Sequence, residues 1–360
     1  MNTSRVLCAS RSCFVIAAAV ATVMTVPRVS RATAPDDQRI ADPTGNPPFN
    51  TFYSVVNLLT AYNGRTGAFT DEGTGSVIGR QDLGNGEGVL YVLTADHVIA
   101  AGSTSVAFGN AGAGGYAANL VFPITNAIQY KTEDVDVIQV TGFNIGFPTK
   151  PGSDRTLFFG LTPIQIANPA TNPLVRAQPI TDYGYGNTGS AVNYTDPTSG
   201  QTNPGYQKVD SAGIKRFQNN VVSDILPSGP SPYTPSHGGP YTEPIVETQV
   251  VAPANNFGTG SSFGGDSGGP YLTAAQTNVN ITRNGAALGI SVLSDMEAAV
   301  HVGGASVPGA AVQTKINGLD MWAVPIDAGL YTFIQSNIPE PESMGLIALA
   351  AVGILRRRRA

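Results

Sequence analysis

Short apolar runs that are rich in β-branched residues recur along the middle of the chain, separated by polar and glycine-containing stretches. They predict strands over 52–59, 75–78, 89–94, 134–140, 249–251, 286–292 and 322–326. No long segment has a helical period until the end, where Asp327 is a suitable N-cap and Tyr331, Ile334 and Ile338 fall on one face. The 42 glycines and 26 prolines among 360 residues also disfavour a helical bundle. The pattern predicts an all-β domain with a short C-terminal helix.

The segment 183–241 has a different composition from the rest of the chain. It is dense in Gly, Pro, Ser, Asn and Tyr and shows little periodicity. We interpret it as long surface loops set around a few strands, and not as a linker between domains.

The first 34 residues have the features of a secretory signal peptide. Arg5 and Arg11 precede an apolar run over 13–26, and Ala32-Thr33-Ala34 supplies the small residues at which a signal peptidase cuts. We therefore predict an exported protein, a signal peptidase as one of its partners, and a mature domain over 35–338.

The C-terminal residues 339–360 form a second targeting signal. Pro339-Glu340-Pro341 is followed by twelve apolar residues, 344–355, and then by the arginines 356–359. Twelve residues are fewer than the roughly 20 that span a bilayer. This order of parts resembles the PEP-CTERM sorting tail of Gram-negative bacteria, which implies an exosortase-like partner, transient membrane association, removal of the tail and delivery to the cell surface or matrix. The alternative is an ordinary short tail anchor.

Removing both targeting signals changes the net charge of the chain and removes its two cysteines. Residues 35–338 keep 12 Lys and Arg against 23 Asp and Glu, a net charge of −11, compared with −5 for the whole chain. An acidic surface without a basic cluster repels phosphate backbones, so nucleic acid is excluded as a partner. Cys8 and Cys13 both lie in the signal peptide, so the mature chain has no disulfide, zinc–thiolate site or cysteine nucleophile.

The most specific string in the chain is Gly264-Gly265-Asp266-Ser267-Gly268-Gly269-Pro270. A serine between glycines lies in a tight turn where backbone N–H groups can converge on one small volume, as an oxyanion hole requires. The alternative is a glycine-rich β-turn without chemistry.

A nucleophilic serine needs a base, and the chain has three histidines. His97 follows a predicted strand in Leu93-Thr94-Ala95-Asp96-His97-Val98, which resembles the Thr-Ala-x-His motif of the chymotrypsin-like serine peptidases, whereas His237 and His301 stand in no comparable motif. We expect His97 to be the base, His237 to lie in a loop and His301 on a strand surface.

The base needs a carboxylate to fix its tautomer, and Asp134-Val135-Asp136-Val137-Ile138 offers two. In the chymotrypsin-like serine peptidases the aspartate is followed by a strand in the form Asp-Ile-Ala-Leu-x-x-Leu. Asp134 places Val135, Val137 and Val140 on the apolar positions of that pattern, whereas Asp136 would place Gln139 on one. We favour Asp134, with Asp136 as the alternative.

These three motifs together resemble those of the chymotrypsin-like (trypsin-fold) serine peptidases, in the same chain order. The resemblance also covers Gly73-Thr74-Gly75-Ser76-Val77-Ile78-Gly79 and Gly184-Tyr185-Gly186. It implies two packed antiparallel six-stranded β-barrels, and His97, Asp134 and Ser267 as the catalytic residues, with the N–H groups of Gly265 and Ser267 as the oxyanion hole. The acidic calcium loop of some trypsins is missing, so no metal and no cofactor are expected.

The function implied is a secreted serine endopeptidase that acts on protein or peptide substrates. The alternative is an inactive surface or matrix binding protein on the same scaffold. By the same resemblance Ser261, six residues before the nucleophile, lies at the base of the specificity pocket, with Ser291 and Leu293 on its wall. An uncharged base predicts no preference for basic residues. Arg39-Ile40 resembles a zymogen activation site, or is a chance dipeptide.

Overall fold

The computed structural model describes residues 51–146, 154–186, 188–195, 202–209, 213–233, 235, 237–249, 265–273, 296–304, 312–313 and 320–339. Six antiparallel strands form a closed barrel in the order β1-β2-β3-β6-β5-β4. This first barrel contains β1 (Val55–Tyr62), β2 (Phe69–Asp82), β3 (Glu87–Thr94), β4 (Ser105–Ala107), β5 (Val121–Gln129) and β6 (Asp136–Asn144).

The first barrel is stabilised by burial of its β-branched and aromatic side chains. In β3 every residue after Glu87 is buried, which explains the unbroken apolar run 89–93. Phe108, Phe122 and Phe143 pack together inside, the last two stacked with ring centroids 3.9 Å apart. Aromatic stacking adds stability beyond the area it buries.

The second set of strands also closes on itself. It contains β8 (Pro179–Gly184), β11 (Arg216–Pro230), β12 (Thr242–Gln249), β13 (Pro270–Thr273), β14 (Met296–Gly304) and β16 (Asp320–Pro325). Their antiparallel pairings run β13-β8-β11-β12-β16-β14, and β14 pairs back onto β13. A short strand, β7 (Gln165–Ile166), adds to β14 in parallel. The predicted architecture of two antiparallel six-stranded barrels is confirmed.

The two barrels pack against each other and against the C-terminal helix. Val300, Val324 and Ile245 of the second barrel belong to the same buried cluster as the core of the first. Helix α3 (Ala328–Asn337) adds Leu330 and Ile334 to that cluster. The Asp327 side chain accepts the Leu330 N–H at 2.7 Å, so the predicted N-cap is confirmed. Ile338 lies just beyond the helix, and Leu330 takes the buried position expected for Tyr331.

Two short helices and two strand boundaries differ from the prediction. Helices α1 (Asp96–Ala100) and α2 (Arg155–Gly160) are too short to show a helical period. A 3-10 helix, Thr51–Ser54, takes the first residues of the strand predicted over 52–59. The strand predicted over 134–140 begins at Asp136, so Asp134 lies in the turn before it. Most of 249–251 and all of 286–292 lie outside the described residues.

The interpretation of 183–241 as loops around a few strands underestimated its regular structure. It contains β9 (Thr188–Thr195) and β10 (Thr202–Val209), which form a separate three-stranded sheet with β15 (Val312–Gln313), and also β11, the longest strand of the second barrel. Apolar and polar residues do not alternate clearly along β11, because several of its positions are only half-buried and are occupied by polar residues. No helix in the part of the chain that the structure describes is long and apolar enough to cross a membrane. The signal peptide and the residues from 340 onward lie outside that part.

Candidate active site

His97 is positioned by the end of β3 and the start of α1. Ala95 has an extended conformation between them, and the Val98 N–H donates to its carbonyl at 3.2 Å. Val98 packs into the core, which fixes the helix on the barrel. Only 16% of the His97 side chain is exposed. The ring therefore reaches the surface of the barrel, but the atoms that cover the rest of it leave it little freedom to rotate.

The imidazole of His97 and the carboxylate of Asp134 form a close pair. His97 Nδ1 lies 2.6 Å from Asp134 Oδ2, and the His97 backbone N–H donates to Oδ1 at 2.7 Å. Asp134 is completely buried. Because a buried carboxylate only accepts hydrogen bonds, Nδ1 carries a proton and Nε2 of the neutral ring is left as an acceptor. The pair therefore presents a base at Nε2.

Asp136, the alternative candidate, faces a different neighbour. It is buried at the start of β6 and interacts with the carboxyl group of Asp96. Burial, with the nearby charges of Asp96 and Asp134, raises the pKa of Asp136 to about 8. A carboxyl group of that pKa is protonated at neutral pH. In the structure, therefore, Asp134 contacts His97, whereas Asp136 pairs with the carboxyl group of Asp96.

The turn that carries Ser267 can be formed only with glycine at two positions. Gly265 has φ of 102° and Gly268 has φ of 86°, in the left-handed region. A Cβ on Gly268 would lie 2.1 Å from the carbonyl oxygen of Thr74. Thr74, on β2, also joins the turn by donating its N–H to Ser267 O at 2.7 Å and its hydroxyl to Gly265 O at 2.8 Å. These bonds fix the turn of the second barrel against the first.

Ser267 lies beside the helix that carries His97. A Cβ on Gly73 would lie 2.8 Å from Ser267 O and 2.6 Å from a methyl group of Val98, the residue after His97. The serine turn and the first turn of α1 are thus separated by one glycine of β2. The structure brings together the three regions that the sequence predicted, with His97 and Asp134 on the first barrel and Ser267 in the turn that precedes β13 of the second.

Asp266 explains why glycines occur at 184 and 186. Its Oδ1 accepts the Gly186 N–H at 2.7 Å. A Cβ on Gly184 would lie 2.0 Å from the same oxygen, and a Cβ on Gly186 would lie 2.5 Å from the carboxyl carbon. The carboxylate next to Ser267 is therefore enclosed by the Gly184-Tyr185-Gly186 segment.

Residues 231–243, which we call the hairpin end, connect β11 to β12 and include the first two residues of β12. They supply groups that sequence reasoning missed. Tyr233 donates its hydroxyl to Asp134 Oδ2. Tyr241 donates to Asp96 Oδ2 at 2.7 Å. Glu243 Oε2 accepts the Asp134 N–H at 2.7 Å. The only sequence signal for the two tyrosines is the density of tyrosine in a segment interpreted as loops, and Glu243 lies just beyond that segment.

The remaining predicted residues are placed as follows. His237 is exposed in the hairpin end, as expected for a loop. His301 is buried on β14 with its ring stacked on Tyr271, so its assignment to a strand surface was wrong. The reason is that His301 faces the interior of the second barrel beside the serine turn, where its carbonyl accepts the Gly268 N–H at 2.7 Å. Ser261, Ser291, Leu293 and Arg39-Ile40 lie outside the described residues. Within the described ranges, no group of three or more His, Cys, Asp or Glu side chains is arranged to hold a metal.

The raised pKa of Asp136 gives a prediction for stability. The folded state keeps this proton up to about pH 8, whereas the unfolded chain loses it near the ordinary value of 3.8. The protonated carboxyl group of Asp136 therefore contributes its full stabilisation to the folded state at acidic pH. This contribution is lost as the pH rises through about 8. We expect Asp136→Asn, which cannot ionise, to be more stable than the parent at pH 8 by about 1–3 kcal/mol and to differ little at pH 4. Urea unfolding at pH 4 and pH 8 measures the difference in stability between the variant and the parent. An equal difference at the two pH values would contradict the prediction.

Comparison with known proteins supports the C-terminal signal. Residues 337–359 match the PEP-CTERM protein-sorting motif. No curated protein matches the sequence. Among solved structures, the chain is similar to the apo MamO protease domain of Magnetospirillum magneticum, with a TM-score of 0.40, 13% identity, and coverage of 81% of this chain and 98% of that one. The sorting motif indicates an exported bacterial protein that an exosortase-type system recognises and directs to the cell surface.

Proposed function

We propose that this protein is a serine endopeptidase of the bacterial cell surface, with His97, Asp134 and Ser267 as its catalytic residues. The observation that carries the proposal is the bidentate contact between His97 and the buried Asp134, which leaves Nε2 as an acceptor on a helix that lies beside the serine turn. A serine becomes nucleophilic only when such a base takes its proton.

The reaction follows from these positions. His97 Nε2 takes the proton of Ser267 Oγ as Oγ bonds to the peptide carbonyl carbon, and the carbonyl oxygen becomes an oxyanion. The N–H groups of Gly265 and Ser267 stabilise that charge. The C–N bond then breaks, and the leaving amine takes the proton from Nε2. Water repeats the sequence on the acyl-enzyme and releases the acid, which restores Ser267.

Asp134 contributes by holding the ring and stabilising its charged form. When Nε2 accepts the proton, the imidazolium lies against a carboxylate that is completely buried. Charge pairs are stronger where water is excluded. The two contacts from one carboxylate to the ring and to the backbone of His97 also restrict rotation of the ring.

Hydrolysis of a labelled unfolded protein such as casein tests the proposal. The mature protein from the cell surface is expected to release peptides, and the Ser267→Ala variant is expected not to. A folded parent protein without activity on casein and on a mixed peptide library would instead support the alternative of an inactive surface binding protein.

A further inference from the structure

Tyr233 contacts both members of the His97–Asp134 pair. Its hydroxyl donates to Asp134 Oδ2, the same oxygen that faces His97 Nδ1. Its ring meets the His97 ring edge-on, with centroids 6.1 Å apart and planes at 69°. Tyr233 reaches this position from the hairpin end of the second barrel, whereas His97 and Asp134 belong to the first.

The ring of Tyr233 is held from its other side by Trp322. The two rings are stacked, with centroids 6.1 Å apart and planes at 22°. Trp322 lies on β16 and Tyr233 packs against the main buried cluster. Stacked aromatic rings lose little further freedom when they form a contact, so the hydroxyl is presented to Asp134 in one orientation.

The surroundings of Asp134 make this hydroxyl important. Three other acids interact electrostatically with Asp134: Asp96 and Asp136 on the first barrel, and Glu243 on the second. Burial raises the pKa of Glu243 to about 7. A buried carboxylate among acids is stabilised in its charged form by donated hydrogen bonds. Asp134 receives three of them: from Tyr233, from the His97 backbone and from His97 Nδ1.

We propose that Tyr233 is a positioning residue for His97 and Asp134. Its hydroxyl holds Asp134 in the orientation that faces His97, and it shares the negative charge that would otherwise act on His97 alone. The effect of Tyr233 on catalysis rests on the proposed function, whereas the contact between Tyr233 and Asp134 does not depend on it. Since Tyr233 comes from the second barrel, the pair is complete only when both barrels are folded and docked.

The variant Tyr233→Phe keeps the ring and removes only the donor. In the full-length protein we expect kcat/KM to fall about 10- to 100-fold, mainly through kcat, because a hydrogen bond to a charged group is lost. Tyr241→Phe is the matched control, because its hydroxyl contacts Asp96, and we expect a much smaller change in kcat/KM.

A second readout separates failure of this proposal from failure of the proposed function. In the Ser267→Ala background, NMR of labelled histidine follows the Nδ1 proton and the ring nitrogens of His97 without any turnover. Tyr233→Phe should shift both signals, and Tyr241→Phe should leave them nearly unchanged. Unaltered Nδ1-proton and ring-nitrogen signals in Tyr233→Phe would overturn the positioning role, whether or not the protein hydrolyses peptides. A shift in a protein that hydrolyses nothing would support the contact and reject the peptidase.

Discussion

Replacement of Ser267 by alanine is expected to lower kcat by several orders of magnitude while the protein stays folded. The side chain lies in a turn whose shape is set by Gly265, Gly268 and the bonds from Thr74, all of which the substitution keeps. His97→Ala should cost about as much, and the double variant little more, because nucleophile and base act as one unit. Initial rates on a peptide substrate, with melting temperatures for each variant, measure this.

Ser336→Ala is a suitable control for that experiment. Ser336 is exposed near the end of α3 and donates only to the carbonyl of Phe333. Its loss should leave kcat unchanged. A Ser267→Ala protein that retains more than about a tenth of the parental kcat would place the nucleophile elsewhere.

Asp134→Asn is expected to lower kcat on the order of 10⁴-fold. The carboxylate contacts two N–H groups of His97, one with each oxygen. An asparagine has only one oxygen, so its NH₂ group faces one of these donors. The arrangement that removes the conflict moves the ring proton from Nδ1 to Nε2, and Nε2 can then no longer accept the proton of Ser267.

Asp136→Asn provides the matched comparison two residues away. Asp136 pairs with Asp96, and its raised pKa keeps it neutral at pH 7, so an amide changes its charge little. We expect kcat to stay within about tenfold of the parent. Comparable losses in the two variants would leave the assignment of the carboxylate open, and a larger loss at Asp136 would reverse it.

Much of the frame of this site was predictable because local sequence determines it. The glycines around Ser267 are required by backbone conformation, and the apolar run of β3 ends where the helix with His97 begins. The choice between Asp134 and Asp136 followed from the resemblance of the residues after Asp134 to the family's pattern of apolar positions, and in the structure Asp134 contacts His97. The sorting tail was likewise predictable, since its three parts stand in order along the chain.

The contacts from the hairpin end could not be predicted, because they depend on how the two barrels dock. Tyr233 is 99 residues from Asp134 in sequence, and Glu243 is 109 residues from it. The strand β11 that leads into the hairpin end has no clear alternation to predict it, because its polar residues include the buried Asn220 and the half-buried Ser223 and Asp224. The burial of His301 depends in the same way on the closure of the second barrel.

Covalent labelling with a fluorophosphonate tests the central claim most directly, since this reagent reacts with a serine that a neighbouring base activates. The parent protein should take up one label per molecule, and peptide mapping by mass spectrometry should place it on Ser267. His97→Ala should react far more slowly at the same pH, because the serine then loses its base. A folded protein whose Ser267 stays unlabelled, or that is labelled equally well without His97, would contradict the assignment of a catalytic serine.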